Sequence, residues 1–155
     1  MKAKDIMISL EEYLRPDNTL KEAVNIFKTA KRDDARVGVR GLPVIDEKGK
    51  MVGFLTIRDI LKAVFPSYMS LMDLGDFTWD GMVEDMAKKI GSKKVSELMT
   101  KKVISVNEEA PLMECVDHLL RNNIRRLPVI AKDSRVVGML YEMDIFVAIT
   151  KAMLE

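Results

Sequence analysis

Cys115 and His118 stand three residues apart in a segment whose apolar spacing predicts a helix, so they share a face, the minimal geometry for a metal pair. Two ligands do not make a structural zinc site, and Cys115 matches Ala23 of an internal repeat, an ordinary helix position; no metal is expected. His118 is also the single histidine of the chain. Nucleophilic catalysis needs a base beside the nucleophile and a third group to orient it, so acyl transfer has no support. The glycines never fall into the G-x-x-x-x-G-K-[ST] spacing of a phosphate loop. The chain is read as non-enzymatic.

The composition narrows the partners. Lys and Arg number 25 against 24 Asp and Glu, a formal charge of +1, which makes no electrostatic case for nucleic acid or an acidic membrane. With 48% hydrophobic and 32% charged residues the chain lies well outside the disordered regime. Its 155 residues allow one compact domain or two small ones. Cys115 is the single cysteine, which excludes an internal disulfide and fits a reducing compartment. The opening MKAKDIMISLEEYL meets Glu11 and Glu12 before an apolar run can form, so no signal peptide is expected. No stretch approaches the roughly 18 uninterrupted apolar residues of a membrane span, and the expectation is a soluble, cytoplasmic protein.

The elements come twice. LPVIDEKGKMVGFLTIRDIL at 42–61 recurs as LPVIAKDSRVVGMLYEMDIF at 127–146, an offset of 127 − 42 = 85. Upstream, Asp5-Ile6-Met7 matches Glu97-Leu98-Met99, and Leu20, Glu22 and Val24 match Leu112, Glu114 and Val116, at 97 − 5 = 92. The difference, 92 − 85 = 7, places a seven-residue insertion near KRDDARVG in the first copy, where charged residues predict a surface loop. In each copy the DIM or ELM triplet precedes a helix with apolar residues four and three apart. Its start is marked by Asn18 or Thr19 with Glu22, and in the second copy by Pro111 in the first turn. LPVI, a turn, and MVGFLTI or VVGMLYE then read as a hairpin, and a last helix begins at Asp59 or Asp144. A short strand before each first helix completes an α/β (α+β) order of β-α-β-β-α, twice.

Residues 1–65 form repeat 1, 66–92 a linker and 93–155 repeat 2. Within the linker Asp80 is a candidate cap for a helix with Glu84 and Asp85 early, Lys88 and Lys89 late, and Gly91 at its end. Its stripe of Met82, Met86 and Ile90, with Val83 and Ala87 beside it, predicts packing on the core, the alternative being a partner-docking helix. Phe77 and Trp79 read as a local aromatic plug, and Met69 and Met72 as adaptable packing.

Two copies of hydrophobic-Pro-Val-hydrophobic, a turn, V-G-hydrophobic-hydrophobic and a closing Asp-hydrophobic resemble a cystathionine β-synthase (CBS) domain pair, or Bateman module, over nearly the whole chain outside the linker. The resemblance implies tandem CBS repeats packed about a pseudo-twofold axis, often in a homodimer. It implies clefts between the repeats for adenosine-containing ligands: AMP, ADP or ATP, and less readily NAD or S-adenosylmethionine. No cofactor is required, and such modules usually modulate something else.

The family's G-x-x-[ST]-x-x-D pattern appears as GFLTIRD, with Gly53, Thr56 and Asp59. There the hydroxyl contacts phosphate and the Asp accepts from ribose hydroxyls, a sensible match because a carboxylate suits two vicinal hydroxyls and a helix start offers N–H groups to phosphate. The same Asp would also serve as a plain N-cap. The family's pattern takes the other half of this cleft from the second copy. Val103 and Ile104 match the adenine-side positions and Arg126 a phosphate-contacting base, whose planar fork pairs two oxygens. Lys101, Lys102 and Arg125 stand close in sequence and would hold a longer phosphate tail or form a solvated basic surface.

The second cleft departs from the pattern. GMLYEMD keeps Gly138 and Asp144 but puts Tyr141 where a small hydroxyl is expected; Gly41 replaces Arg126, and Glu11 and Glu12 replace Val103 and Ile104. A bulky ring, a lost guanidinium and two carboxylates oppose a phosphorylated ligand, so this cleft is expected to be degraded. Two function classes stand: an adenine-nucleotide sensor acting through a partner or a conformational change, and a dimerisation or scaffold module that uses no ligand. Apolar faces at Ile60 and Val64, and at Ile145 and Ile149, predict a covering layer supplied by a homodimer.

Overall fold

The computed structural model describes residues 1–65 and 81–155. Its elements are α1 (Ala3–Ile6), β1 (Ile8–Ser9), α2 (Leu20–Thr29), β2 (Gly41–Ile45), β3 (Met51–Thr56), α3 (Ile57–Val64), α4 (Met82–Ile90), α5 (Val95–Leu98), β4 (Val106–Asn107), α6 (Leu112–Asn122), β5 (Arg126–Ile130), β6 (Val136–Tyr141) and α7 (Glu142–Leu154). Both copies follow the expected β-α-β-β-α order. Each also opens with one helical turn closed by its own acid: the Lys2 N–H donates to Asp5 Oδ2 at 2.8 Å, and the Lys94 N–H to Glu97 Oε2 at 2.8 Å.

The chain forms two compact units, and each is built from both sequence repeats. One comprises Met1–Glu11, Glu47–Met51 and Lys102–Glu155; the other comprises Glu12–Asp46 and Val52–Lys101. In the first, the strand order is β1-β6-β5-β4, so a strand from the start of the chain lies antiparallel to the second repeat's hairpin, Ile8 opposite Met139 and Ser9 opposite Gly138. The opening turn hooks onto the loop before α6. Ala3 N–H donates to Ala110 O at 2.9 Å, Lys4 N–H to Glu108 O at 3.0 Å, and Leu112 N–H to Met1 O at 3.0 Å. Glu109 takes both Lys2 Nζ, at 2.6 Å, and Lys4 Nζ. Beneath them Ala3, Cys115, Leu127, Val129, Leu140 and Ile145 form one buried core. Their removal from water supplies the main favourable term for this unit.

The second unit repeats the plan with thinner edges. β2 and β3 form a two-stranded sheet. Leu14, the counterpart of Val106 at 106 − 92 = 14, makes a single parallel bridge to Val44 where β4 makes a strand. On the other edge Thr100 pairs antiparallel with Phe54, each N–H donating to the other's carbonyl at 2.8 Å. Gly53 lets this edge close: a Cβ there would sit 2.4 Å from Met99 Sδ and 3.0 Å from Thr100 O. Leu14, Leu20, Phe27, Val44, Leu55, Ile90 and Val95 fill the core. The α2 start is a capping box, with Glu22 N–H on Thr19 Oγ1 at 3.2 Å and Thr19 N–H on Glu22 Oε1 at 3.0 Å.

Several expectations need correction. The last helices begin at Ile57 and Glu142, with Thr56 and Tyr141 as caps; Asp59 and Asp144 sit one turn in, because strand and helix join with no loop residue between them. Pro111 is the cap of α6 and not a first-turn residue. In α4, Met82 and Met86 turn inward with buried Ile90, while Val83 and Ala87 stay exposed. The cap of α4 is Gly81, at φ 78°; Asp80, with Met69, Met72, Phe77 and Trp79, lies outside the described residues. Ile60 and Val64 pack against one core and Ile145 lies inside the other; the exposed large apolar residues include Ile57 and Leu61 on α3, and Phe146, Val147, Ile149 and Met153 on α7. The insertion is an exposed loop closed by Lys31 against Val37 and by the Arg36 Nε–Asp33 Oδ2 bond of 2.9 Å. Among the described residues no helix is long and apolar enough to cross a membrane.

Candidate functional site

Thr56 ends β3 and caps α3, so the site begins where a strand runs directly into a helix. Three backbone-scale contacts lock the junction. The Thr56 N–H donates to Asp59 Oδ2 at 2.9 Å, the Thr56 hydroxyl donates to the same oxygen at 3.1 Å, and the Asp59 N–H donates to Thr56 Oγ1 at 3.2 Å. This reciprocal box satisfies the first orphan donors of α3 and holds the carboxylate in one orientation. The hydroxyl that the family resemblance gives to phosphate is therefore the one that caps the helix. Ile57 N–H is taken by Arg40 O at 2.9 Å, which ties β2 into the same corner.

Asp59 Oδ1 faces another segment. It accepts from the Thr100 hydroxyl at 3.1 Å, a contact between residues 41 apart in sequence. Thr100 was not among the residues singled out from the sequence. Its signal there was weak: it stands between the ELM triplet and Lys101, and nothing in the sequence pattern pairs it with Phe54. The counterpart of Thr100 is Ile8, at 100 − 92 = 8, which carries no hydroxyl.

The second copy builds the same corner with different side chains. Arg126 lies opposite Tyr141 in the β5–β6 register, and the Glu142 N–H donates to Arg125 O at 2.9 Å, as Ile57 does to Arg40. Tyr141 is the cap residue of α7, its own side chain making no cap hydrogen bond, and Asp144 lies in the first turn. Gly41, the counterpart of Arg126, has no room for a side chain: a Cβ there would meet Phe54 Cε1 at 2.8 Å and Thr56 Cγ2 at 3.2 Å.

Thr56, Asp59, Thr100 and Lys101 belong to one compact unit; Lys102, Val103, Ile104, Arg125, Arg126, Tyr141 and Asp144 belong to the other. Val103 and Ile104 are half-buried, Lys101, Lys102 and Arg125 are exposed, and Arg126 is half-buried. Cys115 is fully buried in the core, where desolvation pushes its thiol up, and His118 Nε2 lies 3.7 Å from Glu114 Oε1. Among the described residues no group of three or more His, Cys, Asp and Glu is placed to hold a metal.

Comparison with known proteins adds the family. An inosine-5'-monophosphate dehydrogenase of Methanocaldococcus jannaschii is 29% identical over 144 residues, 93% of this chain but 23% of that enzyme, so the chain spans less than a quarter of this relative. The CBS-pair protein CBSX2 of Arabidopsis thaliana superposes with a TM-score of 0.75 at 22% identity, covering 99% of this chain and 97% of that one. A structure of CBSX2 in complex with AMP gives 0.69 at 23%, covering 98% of each chain. The CBS pair of protein MJ0100, in complex with 5'-methylthioadenosine and S-adenosyl-L-methionine, gives 0.66 at 24%, covering 98% of each chain. At these identities the structures establish a shared fold. The CBS-domain family model matches residues 3–66 and again 95–151, so with its two β-α-β-β-α repeats and its paired strand-to-helix corners the chain belongs to the CBS-domain family.

Proposed function

We propose that this chain is a regulatory module that binds an adenine nucleotide of the AMP, ADP or ATP type and acts through a partner or a conformational change, without catalysis. The observation that carries this reading is the Asp59 carboxylate. One oxygen is fixed by the helix cap, while the other already accepts a hydroxyl from a separate segment, which is the chemistry a ribose asks of it. The named ligands of the solved relatives, AMP, methylthioadenosine and S-adenosylmethionine, have adenosine in common. Lys101, Lys102, Arg125 and Arg126 favour a phosphate tail over a sulfonium, since cations repel cations. Val103 and Ile104 keep the adenine-side role that the family resemblance implies, and the lone, buried Cys115 suits a reducing, cytoplasmic setting.

A thermal-shift panel tests the reading. A ligand that binds only the folded state raises the melting temperature, so AMP, ADP or ATP at a hundred times its Kd should add about 2.7 kcal/mol. Calorimetry should then give one strong site per chain, because Tyr141 and Gly41 spoil the second; two equal, tight sites would contradict that asymmetry. A scaffold module is the second reading, favoured by Leu61 at 63% and Phe146 at 58% exposure. It predicts no shift with any adenine nucleotide.

A further inference from the structure

Asp59 has two oxygens and about four acceptor positions. Oδ2 is filled by the Thr56 N–H and the Thr56 hydroxyl at the start of α3. Oδ1 holds the Thr100 hydroxyl and has one position left. A ribose presents two neighbouring hydroxyls, and with Oδ2 committed both must come to Oδ1. Only one fits beside Thr100. The Thr100 backbone cannot move aside, since it is pinned to Phe54 by a reciprocal pair of 2.8 Å bonds, but its hydroxyl can rotate about a single bond.

We propose that Thr100 is an internal stand-in for a ribose hydroxyl: it occupies one of the two acceptor positions on Asp59 Oδ1, weakens adenine-nucleotide binding, and blunts discrimination between ribose and deoxyribose. This rests on the nucleotide-binding reading of Asp59 and adds a direction to it. A residue that merely touched the ligand would lower affinity when removed. A stand-in raises it.

Thr100→Val keeps shape and branching, and so the Phe54 pairing, while deleting the donor. Calorimetry on the full chain with AMP and with 2'-deoxy-AMP separates the possibilities. In the wild type the two ligands should bind within about threefold of each other, because one hydroxyl finds its acceptor taken. In Thr100→Val, AMP should bind about fivefold tighter, as its second hydroxyl finds an open acceptor on Asp59 Oδ1, and 2'-deoxy-AMP should be unchanged. Thr100→Ser, which keeps the donor, should behave as the wild type.

Weaker or unchanged AMP binding by Thr100→Val, with the wild type still binding AMP, overturns the stand-in role and leaves the nucleotide reading intact. A gain shared equally by 2'-deoxy-AMP, or reproduced by Thr100→Ser, also overturns it. No AMP binding by either protein overturns both readings together. A melting temperature for each variant confirms that folded protein is being titrated.

Discussion

At Asp59 a folding role and a binding role fall on one carboxylate, and they separate by magnitude. Asp59→Ala removes the acceptor for the Thr56 N–H, the loss of half a capping box, and should cost about 1 kcal/mol of stability. If Asp59 also holds the ribose, the variant loses hydrogen bonds to an ionised acceptor and binds AMP about ten- to hundredfold more weakly in calorimetry. Asp144→Ala is the matched control, since Asp144 has the same place in α7 but its compact unit has Tyr141 for Thr56 and Ile8 for Thr100. Its stability cost should be similar and its effect on AMP small. Equal affinity losses in the two variants would refute the asymmetry between the copies.

Among elements, the opening turn shows how local and distant forces divide. Asp5 and Glu97 each close their own four-residue helix, a contact three residues long and legible in the repeat. What anchors α1 is remote: Ala3 and Lys4 donate to Ala110 and Glu108, and Lys2 and Lys4 flank Glu109. Hydrogen bonds from these lysines hold the Glu109 carboxyl down at about 2, against 4.5 for a free glutamate. A group depressed on folding lends stability that is full above its unfolded value and is lost as pH falls through the folded one. The clamp should therefore loosen between pH 4.5 and about 2, with amide exchange of α1 rising before that of β5 and β6. Glu109→Gln should flatten that limb of the acid profile, and 1 M salt should mimic the variant at neutral pH, because the pair is exposed. A profile unchanged by the substitution would remove Glu109 from the account.

For the whole molecule the open quantity is the number of chains. Apolar residues recur on the outer faces of α3, with Ile57 at 44% and Leu61 at 63% exposure, and of α7, with Phe146 at 58% and Met153 at 73%. Apolar surface of this kind on a folded protein usually meets a partner. A homodimer is the expected occupant, and light scattering at micromolar concentration should give twice the 17.6 kDa chain mass. Leu61→Glu or Phe146→Glu should shift that mass toward the monomer while leaving the melt cooperative, since neither side chain is buried in the chain itself. A monomeric wild type would refute the dimer and also remove the main support of the scaffold reading.

The sequence by itself determined what depends on neighbours a few residues apart. The repeat, the order of elements and a capped start with Glu22 at Asn18 or Thr19 follow from short spacings, whereas the start of α3 at Ile57, with Thr56 as its cap, does not. Only tertiary structure decided the contacts whose partners are far apart in the chain. Thr100 reaches Asp59 across 41 residues, and each compact unit takes its opening turn from the other repeat; no local pattern encodes either, because edge pairing is chosen by which backbone donors would otherwise stay unpaired. The same holds for which apolar residues turn inward. α7 is apolar on most of its circumference, so periodicity could not tell buried Ile145 from exposed Phe146, and the choice fell to the sheet it packs against.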